Sequence, residues 1–143
     1  GSAEGSDHLE DPSKFFTDPK LAKDFVEKTK VDALAIAVGN AHGAYKLPPK
    51  LDFERIRTIA HTVDVPLVLH GGSGLTDNDF RQAIKEGISK VNIFTDLCIA
   101  GAQAMKEGLE KGLGYLDIRN AKVENIKRAV MKKIELFGSA GKI

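Results

Sequence analysis

The chain reads as an α/β domain built on a parallel sheet, and three observations carry that reading. Short, nearly unbroken apolar runs occupy residues 31–38, 65–70 and 90–95, amphipathic stretches alternate with them, and the unusual polar residues gather where each run ends. Continuous apolar runs are expected of strands covered on both faces. Strands that alternate with helices need crossover connections, which place them parallel and side by side.

Taken in order, residues 1–16 open polar and Gly/Ser-rich and are expected to be a flexible loop or tag remnant, with the domain proper at 17–143. Residues 17–30 predict a helix. Thr17 or Asp18 can cap it, Pro19 suits its first turn, and Leu21 with Phe25 and Ala22 with Val26 make i,i+4 pairs. The run at 31–38 is the first strand and passes into "GNAHGAY". A helix over 51–63 carries Phe53, Ile56, Ile59 and Ala60 on one face, and 65–70, "VPLVLH", is the second strand. The helix over 76–87 opens on Thr76 as N-cap and closes on Gly87. The third strand is 90–95, "KVNIFT", followed at once by a helix over 96–112; a last helix is expected at about 121–137, ended by Gly138.

Composition excludes several classes. With 143 residues the chain suffices for one domain with a core, and a formal net charge of +1 gives no electrostatic case for nucleic acid or membrane partners. No apolar run approaches the roughly 20 residues of a membrane span. Cys98 is the sole cysteine, which excludes an internal disulfide and suits a reducing compartment, so a cytoplasmic location is expected.

In a parallel sheet with crossover helices the strand C-termini share one side, where ligands bind. Here that side collects Gly39, Asn40, His42 and Gly43 after the first strand, His70, Gly71, Gly72 and Ser73 after the second, and Asn92, Thr95 and Asp96 at the third. Two imidazoles one βα unit apart suit zinc, which takes three protein ligands and an open position when catalytic. The plainer alternative is a histidine bonded to a carbonyl, or one acting as a lone acid or base. Gly-rich turns let backbone N–H groups approach an anion, and a helix N-terminus offers more of them. The alternative there is ordinary turn and cap chemistry, with Thr95 as N-cap. Cys98 and the basic cluster at 127–133 read as core and solvated surface respectively, and His8 and His61 as bystanders.

Several spaced motifs then carry a family. "VDALAIAVGNAHGAYKLPPKLDF", "VPLVLHGGSG", "KVNIFTDL" and the closing "FGSAGKI" resemble, from about residue 17 onward, the class II, metal-dependent ketose-bisphosphate aldolases, which include fructose- and tagatose-bisphosphate enzymes. The resemblance implies a (β/α)₈ TIM barrel, of which this chain supplies the C-terminal part: about three βα units plus terminal helices. It implies His42 and His70 as two of three Zn²⁺ ligands, Gly43, Gly71, Gly72 and Ser73 as holders of a substrate phosphate, with a monovalent cation (Na⁺ or K⁺) on nearby backbone groups. Asn92 would contact the triose-phosphate carbon chain at the metal, Phe94 and Thr95 would continue the phosphate cradle, and Arg119 would serve the other phosphate.

A barrel of this kind needs about 200–250 residues. The resemblance therefore implies a partner, the N-terminal part of the same enzyme, which brings the third ligand and the catalytic Asp; no catalytic acid or base is expected in this chain. A homo-oligomer, dimer or tetramer, is also implied. The expected activity is zinc-dependent aldol cleavage of a ketose 1,6-bisphosphate. The alternatives are a non-catalytic phosphosugar-binding subunit or part-barrel folding module, and a metal-free phosphosugar isomerase.

Overall fold

The computed structural model describes residues 12–40 and 49–142, so His8, His42 and Gly43 lie outside the described residues. The chain divides into two compact units, Gly1–Asn92 and Ile93–Ile143.

Among the described residues the first element of the first unit, within the stretch expected to be loop, is a 3₁₀ turn at Pro12–Phe15. Helix α1, Pro19–Thr29, is capped by Asp18, whose carboxylate accepts from the N–H groups of Lys20 and Leu21. Thr17, the other candidate cap, is used elsewhere: its N–H donates to the Ala37 carbonyl and its hydroxyl accepts from the Ala37 N–H, both at 2.8 Å. Strand β1, Leu34–Ala35, helix α2, Phe53–Ala60, strand β2, Leu67–Leu69, helix α3, Asp77–Lys85, and strand β3, Ile88–Val91, follow in the expected alternation. Asp52 caps α2 through the Arg55 N–H, and Thr76 caps α3 in a reciprocal capping box with Asp79.

The three strands form one parallel sheet in the order β1-β2-β3. Leu34 pairs with Leu67 and Ala35 with Val68. Between β2 and β3 the register skips: Leu67 pairs with Ile88, but Val68 pairs with Lys90 and Leu69 with Val91. Leu67 and Leu69 of the central strand are fully buried, as are Ile56 and Ile59 of α2 and Phe80 of α3. These side chains are the core of the unit, and each fully buried one contributes roughly 1.5–3 kcal/mol. Glu86, at the end of α3, ties α3 to α2: its buried carboxylate accepts from Arg57 Nε at 2.5 Å and from Gln82 at 2.7 Å.

Two expectations about strands need correcting. The run at 31–38 is ladder over only Leu34–Ala35, and Ala35 is exposed rather than covered. The third strand begins two residues earlier than expected and ends at Val91, so Asn92, Ile93 and Phe94 are loop.

The second unit is a helical pair, α4, Thr95–Glu110, and α5, Tyr115–Leu136. Gly101, Ala104 and Gly108 are the buried positions of α4. A methyl group on Gly108 would lie 2.8 Å from Ile118 Cγ1, and one on Gly101 would lie 3.1 Å from Ile126 Cδ1. The small residues thus let two antiparallel helices approach closely. That seating starts α5 at Tyr115, six residues before the expected start at 121. The glycines at 112 and 114 disguised the beginning, and no side chain caps it.

Candidate functional site

At the C-terminal end of β2 the chain turns on Gly71, whose φ of +62° is a left-handed conformation natural to glycine. Gly72 and Ser73 are buried there. The Gly72 N–H donates to the Asn92 carbonyl at 3.4 Å, and the Asn92 N–H donates to the Leu69 carbonyl at 2.9 Å, so the ends of β2 and β3 are stitched together beyond their strands.

This brings the half-buried side chains of His70 and Asn92 into contact. The Asn92 amide nitrogen lies 2.9 Å from His70 Nδ1 and 3.2 Å from Nε2. An amide N–H can only donate, so the ring nitrogen that receives it presents a lone pair. Lys90, two residues back along β3, donates to Asn92 Oδ1 and fixes the direction in which the amide faces. On the other flank the Asn40 amide donates to the His70 carbonyl at 2.9 Å and accepts from the Val38 N–H at 2.8 Å.

Of the residues expected at the site, His70, Gly71, Gly72, Ser73 and Asn92 therefore gather at one end of the sheet, while His42 and Gly43 lie outside the described residues. Among the described residues no three His, Cys, Asp or Glu side chains come together in a way that could hold a metal. The donor chemistry fits zinc as far as it goes: an imidazole at a half-buried rim, with an amide partner on its ring, is one ligand of such a set.

Phe94, Thr95 and Arg119 belong to the second unit. Phe94, not Thr95, occupies the N-cap of α4; it is 75% exposed and supplies no side-chain cap. Thr95 is the first helical residue. Beside it Asp96 pairs with Lys133 of α5 at 2.9 Å. Lys133 is half-buried, so the basic cluster at 127–133 is not solvated throughout. Arg119 follows Ile118, the neighbour of Gly108. It is therefore about 20 Å along α4 from Thr95, at roughly 1.5 Å per residue, and its guanidinium donates to Asn120 at 3.2 Å. Cys98 is exposed rather than core, and the ring of exposed His61 closes on the Arg57 carbonyl at 2.7 Å.

Lys90 was missed as a neighbour of the site and Lys133 as the partner of Asp96, and Asn40 stood without a role. Lys90 could have been found from its i,i+2 relation to Asn92, which puts both on one face of a strand. Nothing local to the sequence marks Lys133.

Comparison with known proteins converges on one family. The family model for class-II fructose-bisphosphate aldolase matches residues 1–142. YdjI of Escherichia coli (strain K12) is 46% identical over 127 residues, which are 89% of this chain and 45% of YdjI. The crystal structure of the YdjI aldolase superposes with a TM-score of 0.83 at 45% identity, covering 89% of this chain and 47% of that one. The fructose-bisphosphate aldolase of Campylobacter jejuni shares the fold, with a TM-score of 0.72 at 24% identity over 96% of this chain and 50% of that one. The chain thus spans about half the length of the relatives it matches. With nearly every residue inside the family model and the fold shared with solved aldolases, the chain belongs to the class-II fructose-bisphosphate aldolase family.

Proposed function

We propose that this chain supplies metal ligands and the phosphate-binding turns of an enzyme that cleaves a ketose 1,6-bisphosphate, fructose or tagatose, to glycerone phosphate and glyceraldehyde 3-phosphate. The observation that carries the reading is the His70–Asn92 pair, an imidazole and an amide held against each other where two parallel strands end. In this reading His70 and His42 are zinc ligands, and a third comes from the portion of the relatives' length that this chain does not span. When bound, the zinc would supply a Lewis acid to the ketose carbonyl and to the negative charge that develops on its oxygen.

The chain's own residues bind and orient. With His70 holding a metal, the Asn92 amide beside its ring would bind oxygens of the triose carbon chain. The turn of Gly71, Gly72 and Ser73, with Gly43, holds one phosphate, and a monovalent cation sits on backbone groups beside it; the Gly72 N–H itself is taken by the Asn92 carbonyl. Phe94 and Thr95 are assigned to the same phosphate on the strength of the family resemblance alone. Arg119 takes the other phosphate on the strength of the family resemblance alone. Fixing both phosphates converts binding energy into positioning of the reacting carbons. The proton on the C4 hydroxyl is moved by an Asp outside this chain. Residues 17–143 form this part of the barrel domain, the N-terminal part is its partner, the assembly is a homo-oligomer, and the setting is cytoplasmic.

Metal analysis and a coupled assay of triose-phosphate release test the proposal on the intact protein. Near-stoichiometric zinc and turnover that chelators abolish are expected. A metal-free protein indifferent to chelators overturns it and favours a metal-free phosphosugar isomerase.

A further inference from the structure

We propose that Asn40 is a positioning residue, a side-chain wedge that replaces one rung of the β1–β2 ladder and so sets where His70 stands. The ladder advances by two residues per rung: the Leu34 N–H donates to the Pro66 carbonyl at 3.0 Å and the Ile36 N–H to the Val68 carbonyl at 3.2 Å. The next rung of a parallel pair runs from the Val38 N–H to the His70 carbonyl. That bond is not made directly. The Val38 N–H donates instead to Asn40 Oδ1 at 2.8 Å, and Asn40 Nδ2 donates to the His70 carbonyl at 2.9 Å. Both partners are backbone groups of fixed polarity, so the amide fits one way round only.

The inserted carboxamide satisfies both groups while holding the strand ends apart by its own width. Val38 is fully buried and its carbonyl is itself engaged by the Asp52 N–H at 2.9 Å, so that side of the wedge is anchored. Gly39 makes the fold-back possible: its φ is +98°, and a Cβ there would fall 2.2 Å from the Lys50 carbonyl oxygen. The anchored side is rigid, so the placement of the His70 backbone, and through it the imidazole, follows from the length and polarity of one side chain.

The inference rests on the metal reading of His70 and is tested so that the two fail separately. Asn40→Asp keeps the shape and the acceptor but sets an oxygen against the His70 carbonyl. Arg57→Ala breaks the α2–α3 ion pair at the opposite end of β3 and serves as a control for lost stability. In the intact protein, Asn40→Asp is expected to weaken cobalt binding about 10–100-fold by chelator competition and to change the visible cobalt spectrum. Arg57→Ala lowers the melting temperature without either change. An Asn40→Asp protein with wild-type cobalt affinity and spectrum overturns the wedge, as does an equal loss in Arg57→Ala. Should Asn40→Asp not fold, Asn40→Ser is measured instead. Its hydroxyl reaches only one of the two partners, so an intermediate loss is expected and none overturns the proposal. Wild-type protein that binds no cobalt overturns the metal reading. The wedge is then judged on the His70 ring resonances in NMR spectra, which Asn40→Asp must shift and Arg57→Ala must not.

Discussion

Asn92 is a single residue with three duties: its backbone closes the end of β3, while its side-chain amide touches the His70 ring and receives Lys90. Asn92→Ala leaves a methyl group with no donor, and kcat/KM in the triose-release assay is expected to fall about 10²–10³-fold, the usual cost of deleting a preorganised donor at developing charge. Circular dichroism should be unchanged, since the strand-end bonds of Asn92 are backbone ones. Gly39→Ala acts on stability instead. An L side chain at that φ collides with the Lys50 carbonyl, and urea unfolding should show a loss of at least about 2 kcal/mol. The sequence displayed His70, Asn92 and their glycines because residue type and strand-end position coincide. It did not display the wedge at Asn40, because a bond to the carbonyl thirty residues on depends on where two strands stop pairing.

At the scale of elements, the alternation of helices and strands was legible, and so were most caps. Asp18, Thr76 and Gly138 punctuate as their chemistry demands. The ends of the strands were not legible. Apolar character continues through Ile36 and Val38, both buried, yet strand β1 ends at Ala35, and after one more rung from the Ile36 N–H the Val38 N–H goes to Asn40 instead of to β2. Two predictions belong here. Glu86 is held below its usual carboxylate value of 4.5 first by the hydrogen bond from Arg57, with burial opposing. A lowered folded-state pKa stabilises above the unfolded value and loses that stabilisation as pH falls through the folded one. Glu86→Gln should therefore melt below wild type at neutral pH, and the difference should close progressively once the pH drops under 4.5. Gly108→Ala drives a methyl into Ile118 and should destabilise the helical pair by about 1–3 kcal/mol. Ile118→Val in the same protein should recover part of that loss, which a double-mutant cycle measures.

Across the whole molecule, apolar surface stands open where a soluble protein normally closes it. Leu21 and Phe25, expected to pair within the α1 stripe, are exposed, while Ala22 of the same helix is buried. Ile99, Leu109, Leu116 and Val123 are exposed on α4 and α5. Among the described residues β1 and β3 are the edges of the sheet, and open edges template pairing with other chains. Expressed alone, the chain should self-associate at micromolar concentration. With the segment that completes its relatives' length it should form a defined complex, and sedimentation of both preparations checks this. A monodisperse lone monomer with cooperative unfolding would contradict the expectation. One further property of the assembly hangs on Ser89, the residue that the skipped register between β2 and β3 leaves without a counterpart. It works like a one-letter insertion that resets a reading frame. Everything downstream on β3 is advanced by one position against β2, so Asn92 rather than Val91 comes level with His70. Were that serine instead taken into the ladder opposite Val68, every later pair would slip by one, and the imidazole's neighbour would be translated from an amide into the isopropyl group of Val91.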